Sequence, residues 1–83
     1  MRHPTLLTLA LAARRKPLLS AQQTEALEWY ARGRSTSETA TAMGVPQQDV
    51  TALLNGAARR LQAAGSAQAV AKALALELLF RGR

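Results

Sequence analysis

The stretch of residues 47–60 combines amide side chains with a pair of adjacent arginines. Amides pair with adenine in the major groove of DNA, and arginines are attracted to the phosphates of its backbone. One acidic residue, Asp49, lies among them. We expect DNA contacts from the polar and basic side chains of this stretch, namely Gln47, Gln48, Thr51, Asn55, Arg59 and Arg60.

Further positive charge lies elsewhere in the chain. The 83 residues carry eleven Lys and Arg against five Asp and Glu, which gives a formal net charge of +6. Such an excess suits an anionic partner, with nucleic acid as the first choice. Arg32 and Arg34 are expected to contact DNA as well, and the run from Arg14 to Lys16 is either a solvated helix end or a further phosphate contact.

Neither catalysis nor cofactor binding is predicted. No glycine-rich phosphate loop, pair of carboxylates or nucleophile with its base can be assembled from the sequence. His3 stands alone, and no cysteine is present, which excludes thiolate metal sites and suits a reducing compartment. We therefore expect a cytoplasmic protein that is not an enzyme, has no cofactor and does not span a membrane.

Local signals predict helices throughout, in a chain rich in Ala and Leu. Ser20 with Gln23 and Ser35 with Glu38 form two capping boxes, which mark helix starts. The expected helices cover residues 4–15, 20–32, 35–43, 47–64 and 66–80, and Gly33, Gly44 and Gly65 end the second, third and fourth. The fold class predicted is a small all-α bundle with a basic and apolar arm at 1–17, a helical domain at 18–80 and a basic tail at 81–83.

The apolar positions of these helices predict the core. Residues three and four apart share one face of a helix, and that face is buried when it is apolar. The predicted buried set is Leu27, Tyr30, Ala40, Met43, Val45, Val50, Leu54, Leu61, Val70 and Leu74.

Residues 18–74, about 57 of the 83, resemble the LuxR/GerE-type helix-turn-helix domain, in particular its quorum-sensing branch. The resemblance rests on "LSAQQTEALEWYARGRS", on Glu38, Ala40 and Gly44-Val45, and on Gln68-Ala69-Val70 near the end. It implies a bundle of four helices in which the third, residues 47–64, enters the DNA major groove and the fourth often carries a dimer contact. We expect no small-molecule ligand domain to accompany it.

The chain departs from this family mainly where the family touches DNA. Pro46 replaces a usual Ser, Asp49 a Thr that often contacts phosphate, and Leu53 a His. This chain has Thr51 where the family has Lys or Asn, and Gly56 where the family has Asn. An acidic residue at a helix start suits the helix dipole but repels phosphate. Direct DNA reading is therefore expected to be weakened or lost, although the fold is kept.

The last predicted helix is more apolar than one buried face requires. Eleven of the fourteen residues from Ala67 to Phe80 are apolar. The surplus implies a second buried surface, against a second copy, a regulator protein or the N-terminal arm. We expect dimer or partner contacts from Val70, Ala73, Leu76, Glu77 and Phe80, with Leu76 and Phe80 exposed.

Two functional hypotheses follow. The first is a small transcription regulator that binds DNA as a dimer with a diverged recognition helix. The second is a protein-interaction module that has lost DNA reading and modulates a transcriptional regulator, for example as an anti-activator. A third, weaker resemblance is to region 4 of sigma factors, through "LSAQQTEAL" and "AARRLQ".

Overall fold

The computed structural model describes residues 18–81, which form four α-helices and no strand. The helices are α1 (Ala21–Ala31), α2 (Thr36–Met43), α3 (Gln47–Arg60) and α4 (Ser66–Ala75). The all-α class is confirmed for this part of the chain. The expected N-terminal helix lies outside the described residues.

Both predicted capping boxes are present. The Ser20 hydroxyl accepts a hydrogen bond from the backbone N–H of Gln23, and the Gln23 side chain accepts one from the Ser20 N–H. Helix α1 begins directly after Ser20. Ser35 and Glu38 make the same reciprocal pair before α2. Because each box satisfies two donors that the helix itself leaves unpaired, the starts of α1 and α2 are determined locally.

The turn between α2 and α3 contains only Gly44, Val45 and Pro46. Gly44 has a φ of 71°, the left-handed conformation that glycine adopts without a steric penalty. The N–H groups of Gly44 and Val45 both bond to the Ala40 carbonyl and close the end of α2. Two helices joined by a three-residue turn are therefore present, as the sequence predicts.

The last two helices are shorter than predicted. Helix α3 ends at Arg60 rather than at residue 64, and α4 ends at Ala75 rather than at residue 80. Two residues that are not glycine, Gln62 and Glu77, reverse the chain with φ values of 54° and 58°. At each end, a backbone N–H bonds five residues back, from Ala63 to Ala58 and from Leu78 to Ala73, which is the Schellman pattern. Helix α4 begins at Ser66 as predicted, with Gly65 as its N-cap residue and no side chain capping it.

The core lies where α3 packs against the other three helices, while α1 also packs against α2 and α4. Five of the predicted core residues are buried: Leu27, Ala40, Val50, Leu54 and Leu61. Met43, Val45 and Val70 are only partly buried. The prediction was wrong for Tyr30 and Leu74, which are 39% and 48% exposed.

The inward face of α4 was also assigned wrongly. Ala69, Ala73 and Leu76 are buried against α1 and α3, and Leu78 and Leu79 are buried after the chain has turned. The polar side chains of α4 explain this orientation. Lys72 donates to the carbonyls of Leu61 and Gln62 at 3.3 and 2.7 Å, which holds that side of α4 against the end of α3.

Candidate nucleic-acid interface

Helix α3 presents an exposed polar row that we call the α3 stripe: Gln48, Thr51, Asn55 and Arg59. The spacing of three and four residues places these side chains on one side of the helix. Val50, Leu54 and Ala57 fix the opposite side, because they are buried in the core. The stripe is thus held outward by packing, with its amides free of hydrogen bonds to the rest of the domain.

Gln47 lies at the start of α3 but does not share this freedom. Its side-chain Nε2 donates to the Thr36 hydroxyl at 2.9 Å. That bond joins the first residues of α2 and α3. Its amide oxygen is left as an acceptor.

The predicted arginines are divided among three places. Arg60 donates from Nη1 to the Leu18 carbonyl at 3.0 Å, which ties the start of the described chain to the end of α3. Arg34 is exposed near Glu38. Arg32 lies against the aromatic rings of Trp29 and Phe80, with its guanidinium carbon 5.3 and 5.0 Å from their centroids. Each of these three arginines thus has a different partner within the described residues.

Arg32 belongs to a set of contacts between α1 and Phe80 that we call the latch: Glu28, Trp29, Arg32 and Phe80. The Phe80 N–H donates to the Glu28 carboxylate at 2.6 Å, and the Trp29 ring N–H donates to Glu25 at 3.2 Å. Phe80 is partly buried here, with a φ of 58°. The Arg32 guanidinium lies near both aromatic rings, so its cation–π interactions help to hold Phe80 against α1.

The start of α3 lies among carboxylates. Asp49 is exposed in the first turn, and its carboxylate makes no hydrogen bond or ion pair with any residue in the described range 18–81. Glu38 lies at the start of the adjoining α2, where the N–H of Ser35 and the charge of Arg34 lower the pKa of its carboxyl. An incoming phosphate would therefore meet negative charge at this end of α3.

The described part of the chain is almost electrically neutral. Residues 18–81 contain six basic side chains, Arg32, Arg34, Arg59, Arg60, Lys72 and Arg81, and five acidic ones, Glu25, Glu28, Glu38, Asp49 and Glu77. Their formal charge is +1, compared with +6 for the whole chain. Five of the six excess positive charges therefore belong to residues 1–17 and 82–83.

The predicted contacts of the last helix were partly misplaced. Ala73 and Leu76 are buried in the domain itself, so they cannot anchor a second molecule, and Phe80 lies under Arg32. Val70 is partly buried, and only Glu77 is exposed. The error came from extending the helix through residues 76–80, which instead fold back on the core.

A different face of α4 is open. We call it the α4 face: Ala67, Val70, Ala71, Leu74 and Ala75. Leu74 is its largest exposed member. The sequence shows only that the polar residues Gln68 and Lys72 are one turn apart; in the structure Gln68 accepts the Ala64 N–H before α4, and Lys72 donates to the end of α3.

A shallow recess of about 220 Å³ lies between α1 and α3. Val45 and Leu53 form its apolar floor, and both are partly buried against the core. Asp49 stands at its rim with Gln22, Gln23 and Ala52. Leu53, where the resemblance led us to expect a His, therefore lines an apolar recess and not the α3 stripe.

No helix within residues 18–81 is long and apolar enough to cross a membrane. Comparison with protein-family models and with curated protein sequences finds no match. The resemblance to the LuxR/GerE-type domain remains a prediction from the residues that carry it.

Proposed function

We propose that this chain is a small helix-turn-helix regulator of transcription that reads duplex DNA with the α3 stripe and acts as a dimer. The observation that carries the proposal is the stripe itself. Gln48, Thr51 and Asn55 point outward from a helix that follows a tight turn, while its other side is fixed in the core.

The dimensions of α3 suit the major groove. An α-helix fits into that groove, and Gln or Asn can pair with adenine through two hydrogen bonds. Gln48 and Asn55 are separated by seven positions in the sequence, which corresponds to about 10 Å along the helix axis. At about 3.4 Å per base pair, the two amides would address bases about three pairs apart.

The α4 face supports the dimer. Its exposed side chains are all apolar, and those flanking Leu74 are small enough for a second helix to approach closely. A dimer would place two α3 stripes on two half-sites. Leu74→Lys should convert the dimer to a monomer in sedimentation, whereas Thr41→Lys, on the exposed side of α2, should not.

A second candidate function is supported by the recess beside Asp49. An apolar floor next to an unpaired carboxylate suits an apolar side chain and a cationic group of a protein partner. In that case the chain is an interaction module that modulates a transcriptional regulator.

The two candidate functions can be separated by measuring the affinity of the chain for the DNA directly upstream of its own gene and for a duplex of the same composition in shuffled order. Gln48→Ala with Asn55→Ala should remove the preference for the upstream sequence. Gln62→Gly is the matched control, because it deletes an exposed amide outside the stripe at a left-handed position that glycine tolerates.

Asp49→Thr provides the second measurement. If Asp49 faces phosphates, its removal should strengthen binding by about 1 kcal/mol at moderate effective dielectric. DNA reading would be refuted, and the interaction module favoured, if neither the unmodified chain nor the Asp49→Thr variant bound the upstream duplex more tightly than the shuffled one.

A further inference from the structure

A short segment after α4 turns back on the domain, and we call it the strap: residues 77–80. Glu77 and Phe80, at its two ends, are not glycines, yet both have a φ of 58°. That left-handed conformation has a steric cost for any residue with a Cβ. Leu78 and Leu79 lie between them and are buried. The strap therefore combines a strained backbone with two buried leucines that offset the strain.

The latch adds to what holds the strap in place. The Phe80 N–H donates to the Glu28 carboxylate at 2.6 Å, and the guanidinium carbon of Arg32 lies 5.0 Å from the centroid of the Phe80 ring. The similar turn at Gln62 differs, because α4 follows it and packs against α1 and α3. No helix follows Glu77 within residues 18–81, so no further helix fixes the direction of the strap.

The sequence of the strap is also compatible with a longer α4. Residues 66–80 contain neither Gly nor Pro, and leucine and glutamate are good helix formers. In a continued helix, Leu78 would lie one turn after Leu74 and Leu79 one turn after Ala75, and both of those earlier residues belong to the α4 face. Such a helix would remove both left-handed residues and would add two large apolar side chains to that face.

We propose that the strap opens when two copies of the chain associate, and that the dimer is joined by the α4 face lengthened by Leu78 and Leu79. The α4 face alone offers one large exposed side chain, Leu74, whereas a stable interface buries about 800 Å² on each partner. The lengthened face carries no charge, so two copies can meet across a two-fold axis without unpaired charges. Leu76 takes no part, because it is buried on the inner side of α4, one turn after Ala73.

This inference rests on the dimer of the proposed function and adds how that dimer forms. Each chain would exchange the burial of two leucines in its own domain for their burial against a second copy. The left-handed conformation of Glu77 biases each chain towards the open strap, while the latch opposes opening. Dimer formation and release of Phe80 from α1 are therefore expected to occur together.

The test measures the dimer dissociation constant of the full chain by sedimentation, and the fluorescence of Trp29 over the same concentrations. Trp29 is the single tryptophan, and Arg32 lies between its ring and that of Phe80, so its emission should change in step with the dimer fraction. Glu77→Gly removes the steric cost of the closed strap, which should favour closure at least about fivefold per chain and weaken the dimer about 25-fold. Glu77→Gln is the matched control, because it removes the same charge but keeps the Cβ. Gln62→Gly makes the same backbone change after α3, and neither control should alter the dissociation constant more than about twofold.

The outcomes separate this inference from the proposed dimer. A weaker dimer in Glu77→Gly, with unchanged controls and a Trp29 emission that follows the dimer fraction, supports the opening of the strap. A dimer that forms without any change in Trp29 emission, or that Glu77→Gln weakens as much as Glu77→Gly, overturns the opening and leaves the dimer in place. A chain that stays monomeric at every concentration overturns both. Melting curves of each variant verify that it is folded.

Discussion

Gly56 lies within α3 at a point where Gln23 of α1 comes close to it. A Cβ added at Gly56 would lie 2.9 Å from Nε2 of Gln23, closer than real Cβ contacts allow. Gln23 is not free to swing away at no cost, because its side-chain oxygen accepts the Ser20 N–H at 2.9 Å in the capping box. The substitution Gly56→Ala therefore tests a contact between two helices.

Two effects of similar size oppose each other in this variant. Replacing an interior helical Gly with Ala gains about 1 kcal/mol of stability. Displacing the Gln23 amide weakens a hydrogen bond that contributes about 0.5–1.5 kcal/mol. In the unmodified background, Gly56→Ala should thus change the free energy of unfolding by less than about 0.5 kcal/mol, and in a Gln23→Ala background it should gain the full 1 kcal/mol or so.

The assay is a double-mutant cycle measured by urea or thermal unfolding of the full chain. The expected coupling of about 1 kcal/mol corresponds to about 4–8 °C in Tm for a domain of this size. Asn55→Ala serves as the control, because Asn55 is the exposed neighbour of Gly56 and its effect should simply add to that of Gln23→Ala. Additivity of Gly56→Ala and Gln23→Ala within about 0.3 kcal/mol would refute the proposed contact.

Three further predictions concern the core, the latch and the pH dependence of stability. Leu54→Ala should cost about 2–5 kcal/mol, because Leu54 is buried on the inner face of α3, and a cost of a few tenths in urea unfolding would show that this face is misassigned. Glu28→Ala should release Phe80 and alter the fluorescence of Trp29, while an unchanged emission spectrum would contradict the latch. The lowered pKa of the Glu38 carboxyl means that its ionised form stabilises the fold above the ordinary pKa, and that this contribution disappears as the pH falls through the lowered value. Glu38→Gln keeps an acceptor for the Ser35 N–H and should reduce that loss on acidification, so an unchanged acid profile would count against it.

Sequence alone was sufficient where the controlling interactions are local. The starts of α1 and α2 follow from capping boxes that span four residues each. The ends of the same helices follow from Gly33 and Gly44, whose φ values of 84° and 71° are those at which a glycine is favoured. The inner face of α3, with Val50 and Leu54, was also predictable, because apolar residues recur there every three or four positions, as one face of a helix requires.

The candidate site was predictable only in its residue types. Gln48, Thr51, Asn55 and Arg59 could be chosen from the sequence, and the structure places all four on one exposed side of α3. The uses of Gln47, Arg32 and Arg60 depend on Thr36, Phe80 and Leu18, which are 11, 48 and 42 positions away in the sequence. No local pattern contains such pairings.

Tertiary packing decided where helices α3 and α4 end. Nothing local stops a helix at Arg60 or Ala75, because Gln62 and Glu77 are not glycines, and a left-handed conformation costs such residues about 1–2 kcal/mol. Burial of Leu61 after α3, and of Leu76, Leu78 and Leu79 after α4, offsets that cost. Lys72 adds two hydrogen bonds, to the carbonyls of Leu61 and Gln62 directly after α3. An apolar run that would have formed one face of a longer helix instead folds back on the core, and this leaves Leu74, not Leu76, exposed on α4.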